Sequence, residues 1–149
     1  MTARYSRFYH RLQVAAHSLQ KRADQALMQA AGISTAQAAV LSIVSAGDGP
    51  QQNTVAGQLG LNESAVTAMV NRLMALGLLR RARSARDARA WDLHVTDAGA
   101  AALANIQAPF AEINALIDNT FGPKDADRVA ALLAVLSERL SEDQGRRDA

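Results

Sequence analysis

Residues 54–96 read TVAGQLGLNESAVTAMVNRLMALGLLRRARSARDARAWDLHVT. Asn53 or Thr54 is suited to open a short helix that stops near Leu59-Gly60. Asn62 then caps a second helix running to about Leu76 and closed by Gly77. Two helices joined by about three residues that include a glycine make a helix-turn-helix pattern. From Leu78 the periodicity changes. Leu78–Arg83 reads as a strand, Ser84–Ala88 as a tip and Arg89–Val95 as a returning strand, with Trp91, Leu93 and Val95 on one parity. An isolated two-stranded hairpin is marginally stable, so those three side chains are expected to lean on the helices.

On a wheel of about 100° per residue, Val66, Met69, Val70 and Leu73 fall on one side of the second helix. The opposite side holds Ser64, Ala68, Asn71 and Ala75, flanked by Thr67 and Arg72. This outer face lacks the Glu and Lys that normally solubilise a helix. In a DNA major groove, Ser, Thr and Asn hydrogen-bond base edges, alanine methyls touch thymine methyls, and arginine reads guanine or holds phosphate. The plainer alternative is a small-residue surface in an alanine-rich chain. The arginine-rich hairpin weighs against it. Arginines stand at 80, 81, 83, 86 and 89, with Asp87 among them. The formal net charge of +2 hides a segregation: residues 72–89 carry six arginines and one acid (+5), whereas residues 97–149 carry five bases and nine acids (−4). A hairpin tip gives arginine the reach to meet phosphates or a narrow minor groove, and Asp87 is positioned to orient Arg86 or Arg89.

The flanks read as long helices. In residues 4–31, Tyr5, Phe8, Leu12, Ala15, Leu19, Ala23 and Ala26 recur at steps of three and four as far as Gly32. Aromatic residues at the start of such a helix suggest an intermolecular contact. Ser34 and Gln37 form a capping-box pattern ahead of a helix lined by Ala38, Leu41, Val44 and Ser45, and GDGP at 47–50 ends it. Thr96 caps a long helix carrying Leu103, Ile106, Phe110, Ile113 and Ile117, which Pro109 should kink. After Gly122, Pro123 fits the first position of a last helix with a stripe of Val129, Leu132, Leu133, Leu136 and Leu140, followed by a polar tail (141–149) expected to fray.

At 149 residues, 49% hydrophobic and 20% charged, the chain is expected to be one soluble domain, 1–149. No apolar run approaches the ~20 residues that span a bilayer, and no signal sequence opens the chain, which points to the cytoplasm and away from a membrane. With no cysteine, disulfides, thiolate-bound zinc and thiol switches are excluded. His10 and His17 are two helical turns apart, too far to share one ion, so neither metal nor cofactor is expected. Ser64, the histidines and the aspartates form no nucleophile–base arrangement. The chemistry expected is binding, not catalysis.

The stretch from Val55 to Gly99 resembles the winged helix-turn-helix of the MarR family of bacterial transcription regulators. The likeness lies in Leu59-Gly60-Leu61, in the spacing of Val66, Thr67, Val70, Arg72 and Leu73, in Gly77-Leu78-Leu79, and in Asp87, Arg89, Val95, Thr96 and Gly99. It implies a mainly α fold with a small β-hairpin wing. A DNA-binding lobe (34–99, wing 78–96) would be flanked by dimerisation helices (1–31 and 100–145). It implies a homodimer, and a repressor on a pseudo-palindromic operator. Tyr5, Phe8, Leu12, Leu132, Leu136 and Leu140 would lie at the dimer interface. Ser64, Ala65, Thr67, Ala68, Asn71 and Arg72 would face the major groove of double-stranded DNA, with Arg83, Arg86, Asp87 and Arg89 on the wing. Many members release DNA on binding a small aromatic or phenolic anion, for which Tyr9, His10 and His17 are the candidate contacts. The chain departs from the family at Ala68, often basic, and at Ala88, often a second wing arginine for which Arg86 can substitute. The absence of cysteine and the histidine spacing set it apart from the peroxide- and zinc-sensing branches. The rival reading is a dimeric ligand-binding or protein-interaction adaptor without DNA binding, against which the wing charge argues.

Overall fold

The computed structural model describes residues 3–147, with side chains from residue 7 to residue 143. The side chain of Tyr5, expected at a dimer contact, lies outside the described residues. In chain order the elements are α1 (Ala3–Ala31), α2 (Thr35–Ala46), α3 (Gln52–Leu59), α4 (Glu63–Ala75), β1 (Leu79–Arg83), β2 (Trp91–Val95), α5 (Asp97–Asn105), α6 (Gln107–Phe121) and α7 (Pro123–Arg147). The chain divides into two compact units, Met1–Phe110 and Ala111–Ala149. No single helix among the described residues is long and apolar enough to cross a membrane.

The first unit is built around α2, which packs on α1, α3, α4, α5 and β2. Its start is fixed by the expected capping box: Gln37 N–H donates to Ser34 Oγ at 3.2 Å, and Ser34 N–H to Gln37 Oε1 at 3.0 Å. Ala38, Leu41 and Val44 are buried as expected, but Ser45 is exposed and Val40 is buried instead. A single stripe cannot describe a helix with neighbours on several sides. Leu27, Ile33, Val55, Val66, Val70, Leu73, Leu93 and Ile106 complete the core.

The helix-turn-helix forms as its caps dictate. Helix α3 begins at Gln52, ahead of both Asn53 and Thr54, either of which was expected to open it, and ends at Gly60, whose φ of 64° favours glycine. Asn62 Oδ1 accepts from Ala65 N–H at 2.8 Å and starts α4. Strands β1 and β2 are antiparallel. Leu79, Arg81 and Arg83 lie opposite Val95, Leu93 and Trp91 on one face, and Arg80 and Ala82 lie opposite His94 and Asp92 on the other. Leu93 is buried and Val95 half-buried, but Trp91 is 47% exposed. The expectation that Trp91 anchors the hairpin is therefore corrected. Its ring lies against the guanidinium of Arg83, 4.4 Å from centroid to carbon, a cation–π pair in place of a core contact.

The base of the hairpin is tied to α5. Thr96 N–H donates to Leu78 O (3.1 Å), its hydroxyl donates to Gly77 O (2.6 Å), and Gly99 N–H donates to Thr96 Oγ1 (3.1 Å). Gly99 permits this approach: a Cβ there would lie 2.2 Å from Leu78 O and 2.7 Å from Val95 Cγ1. The long helix expected after Thr96 is two helices. The break falls at Ile106, three residues before Pro109. Pro109 has no N–H to offer the Asn105 carbonyl and its ring crowds that oxygen, so the disruption appears a turn upstream of the proline.

In the second unit, Pro123 takes the first position of α7, as expected. The helix continues to Arg147, so residues 141–147 are helical where a frayed tail was expected. Among the described residues from 111 onward, only Ile113 is buried. Leu132 (61%), Leu136 (40%) and Leu140 (59%) keep their helical spacing and are exposed in the single chain.

Gly99→Ala is expected to destabilise the protein by about 1–3 kcal/mol, because backbone rather than a flexible side chain occupies the space. Urea unfolding reads this as a lowered midpoint. An unchanged midpoint would mean that α5 can retreat from the hairpin base at little cost.

Candidate nucleic-acid interface

Helix α4 buries Val66, Val70 and Leu73 and half-buries Met69, as its periodicity predicts. Ser64, Ala68, Asn71, Arg72 and Ala75 are exposed, and Ala65 and Thr67 are half-buried. The polar groups on this face are not equivalent. Ser64 donates to Asn62 Oδ1 at 2.8 Å, so its proton is engaged at the cap. Thr67 donates to Glu63 O at 2.7 Å and accepts from Gln52 Nε2, so it too has no proton to offer outward. Asn71 and Arg72 make no side-chain hydrogen bond among the described residues. Donors for an external partner on α4 are thus concentrated in Asn71 and Arg72, beside the methyls of Ala68 and Ala75.

The wing is more ordered than its charge suggests. At its tip, Ser84 N–H donates to Ala90 O (3.1 Å) and Ala90 N–H to Asp87 O (3.0 Å). Ser84 Oγ accepts from Arg86 N–H at 3.2 Å, and Asp87 Oδ1 accepts from the backbone N–H of Arg89 at 2.9 Å. Asp87 therefore shapes the turn through the backbone of Arg89, where an arginine side chain was the expected partner. Arg83 donates to Ala88 O at 3.0 Å while lying over Trp91. Arg81 donates to Gln52 Oε1 at 2.8 Å. Arg80 and Arg89 are exposed, with no side-chain bond among the described residues.

Arg86 turns inward. Its Nη2 donates to Gly49 O (2.9 Å) and Asp48 O (3.1 Å) and lies 3.6 Å from Asp92 Oδ1. Asp92 is buried, and that oxygen has no hydrogen bond among the described residues, so the nearby guanidinium supplies its charge compensation. Gly49, at φ 62°, is pressed against β2: a Cβ would lie 3.0 Å from His94 Cε1 and 3.2 Å from Asp92 Cβ. Leu93 N–H donates to Pro50 O at 3.0 Å. The 48–50 turn thus holds both the outer edge of β2 and the wing tip. The sequence marks a turn at 47–50 but does not show that it holds the wing, nor the bonds made by Gln52, Arg81 and Asp92. The Gly-Asp-Gly-Pro stretch gave a signal for a turn but none for its partner.

His10 and His17 line one open groove of about 560 Å³ along α1, with Gln13, Val14, Ala16, Ser18 and Gln20. Tyr9 is not part of that lining, and its hydroxyl accepts from Gln13 Nε2 at 2.7 Å. Phe8 is exposed and Leu12 half-buried on the same helix. No group of three or more His, Asp or Glu is arranged to hold a metal ion among the described residues.

A helix-turn-helix followed by an arginine-bearing hairpin makes this a winged helix-turn-helix protein. Residues 31–90 match the family model described as MarR family. That match covers most of the segment whose motifs resemble the same family, and the fold is similar to solved structures that share it. The S. aureus MepR–DNA complex is similar at a TM-score of 0.78 and 21% identity, over 93% of this chain and 98% of that one. M. tuberculosis MOSR, solved with DNA, gives 0.74 and 24% over 95% and 98%. PcaV of Streptomyces coelicolor, solved with its natural ligand, gives 0.74 and 25% over 88% and 89%. No curated protein matches the sequence.

Arg86→Ala should release the wing tip. It removes two bonds to carbonyls and leaves the Asp92 carboxylate without its cation, at a cost of about 1–3 kcal/mol. The expected reading is faster hydrogen exchange at the Ser84 and Ala90 amides. Unchanged exchange there would mean that the tip holds itself together without the strut.

Proposed function

We propose that the protein is a sequence-specific, DNA-binding transcription regulator, a repressor working in the cytoplasm as a homodimer on a pseudo-palindromic operator. The observation that carries this is the pairing, within one unit, of an exposed α4 face of small residues with Asn71 and Arg72 free, and a structured hairpin presenting Arg89. Helix α4 enters a major groove, where Asn71 reads a base edge and Ala68 and Ala75 give methyl contacts. The wing meets the backbone and the minor groove through Arg89, with Arg83 beside it. The relatives solved with DNA support this use of the fold. The role is binding, and no catalytic step is assigned to these residues.

The exposed leucines support the homodimer. Two copies bring together eight of them, from Leu132, Leu133, Leu136 and Leu140 of each chain. At about 1.5–3 kcal/mol per leucine fully buried, even half that burial gives on the order of 10 kcal/mol. That is comparable with the ~4–15 kcal/mol that association costs. Helix α1 by itself carries Phe8, exposed, and Leu12, half-buried. A small aromatic or phenolic anion as releasing effector is supported by the histidine-lined groove on α1, where imidazole N–H groups can meet an anionic oxygen, and by the relative solved with its natural ligand.

Selection of bound duplexes from a random pool, repeated across a salt series, tests the reading. The expected result is a two-fold consensus, with half-sites about one helical turn (~10 bp) apart and a steep negative salt dependence. Weak, unselective binding without enrichment would favour an adaptor on the same fold. On the selected duplex, Arg89→Ala is expected to lower the salt slope by about one unit, and an unchanged slope would remove Arg89 from the phosphate contacts. Asn71→Ala is expected to relax base preference at one position by ~1–3 kcal/mol. A uniform loss over all duplexes would make Asn71 a backbone contact instead.

A further inference from the structure

Gln52, the first residue of α3, touches both halves of the proposed reading surface. Its Oε1 accepts from Arg81 Nη2 at 2.8 Å on β1, and its Nε2 donates to Thr67 Oγ1 on α4. Thr67 passes its own proton to Glu63 O at 2.7 Å. The direction of this relay is fixed at one end. Arginine can only donate, so the amide oxygen must face Arg81. The amide NH₂ must then face Thr67, and the threonine proton is left for the helix carbonyl. Three elements that are separate in sequence are joined by one side chain with no rotational alternative. Hydrogen bonds in such a chain polarise and strengthen one another.

Gln52 also sits at the level where the hairpin's contact with the core ends. Leu79 is buried, and so is Leu93, which stands directly opposite Arg81; one step farther out on the same face comes Arg83 against the half-exposed Trp91. Arg81 is thus the last residue of that face with a bond to the helices. Gln51, Gln52, Asn53, Arg81, Arg89 and Trp91 line the shallow groove between α3 and the wing. The strut from Arg86 holds the opposite side of the hairpin to the 48–50 turn. Gln52 is the counterpart on the α4 side.

We propose that Gln52 is a positioning residue for DNA recognition: through Arg81 and Thr67 it locks the wing to α4, so that base reading by α4 and backbone contact by the wing occur in one register. This rests on the reading that α4 and the wing both meet DNA. It also gives Thr67 a different role from the groove contact its position suggests. Its hydroxyl serves the relay, and its contribution to binding runs through the wing.

The test uses the full-length protein and the duplex selected above, with wild type, Gln52→Met, Thr67→Val, Arg89→Ala and the Gln52→Met/Arg89→Ala double variant. Neither Gln52→Met nor Thr67→Val removes a charge. Both are nonetheless expected to weaken cognate binding by about ten- to a hundredfold and to lower the salt slope by roughly one unit, because a released wing loses a phosphate contact. The double variant should lose less than the product of the two single losses, since Arg89 has little left to contribute once the wing is free. Unchanged salt slopes with multiplicative losses overturn the proposal, whatever happens to thermal stability, and so does a slope that falls with Gln52→Met but not with Thr67→Val. If Gln52→Met does not fold, Thr67→Val alone decides, by the same slope. Absence of salt-dependent binding by wild type would instead overturn the DNA-binding reading itself.

Discussion

A two-stranded hairpin does not hold its own shape in water, and everything this molecule presents on its wing depends on that constraint being met. The solution is a set of ties at successive heights. At the base, Thr96 and Gly99 bring α5 within hydrogen-bonding distance of the Leu78 backbone, possible only because position 99 has no side chain. In the middle, Leu93 enters the core and its N–H is taken by Pro50 O. Level with Leu93 on the other strand, Arg81 reaches Gln52, and farther out Arg86 reaches back to the 48–50 turn. At the tip, Ser84 and Asp87 satisfy the turn locally. The core contribution fades with height and hydrogen bonds replace it.

The local part of this plan is legible in the sequence, and the long-range part is not. Ser34 with Gln37, Asn62 and Thr96 are caps whose partners lie three residues away, so their spacing identifies them. The buried face of α4 follows from helical period because one side of that helix is covered. The same reasoning fails for α2, where neighbours on several sides bury Val40 and leave Ser45 in water. It also fails for Trp91, whose parity in the strand is right but whose height above the helices no periodicity encodes. Arg86 with Asp48, Gly49 and Asp92, and Arg81 with Gln52, are bonds between positions far apart in sequence. A single chain gives no signal for such pairs beyond the residue types, and five closely spaced arginines are interchangeable by type.

That separation changes what the candidate site is. Read from the sequence, it is a list of polar residues on α4 and arginines on a hairpin, each offering the same chemistry. In the structure, Ser64 and Thr67 have spent their protons within the protein, and Asn71 and Arg72 have not. On the proposed reading, a helix with so few free donors would meet a groove mostly through methyl contacts and shape, with Asn71 and Arg72 as its hydrogen-bonding groups.

The arginines divide by a similar logic, with an electrostatic consequence. Arg81 is bound to a neutral amide, and Arg83 to a carbonyl and the face of an indole. Those partners fix direction without cancelling charge. Among the described residues, Arg86 alone of these arginines lies beside a carboxylate, that of the buried Asp92. The +5 of residues 72–89, to which Arg72 of α4 contributes, therefore remains almost whole as a field even though three of the wing's five arginines are structurally engaged. For a polyanion, attraction at a distance follows the summed charge, whereas docking needs side chains free to contact it. Engaged arginines supply the first while Arg80 and Arg89 remain available for the second. Tethering by neutral acceptors thus lets one short hairpin be rigid and strongly cationic at once, which salt bridges to carboxylates would not allow.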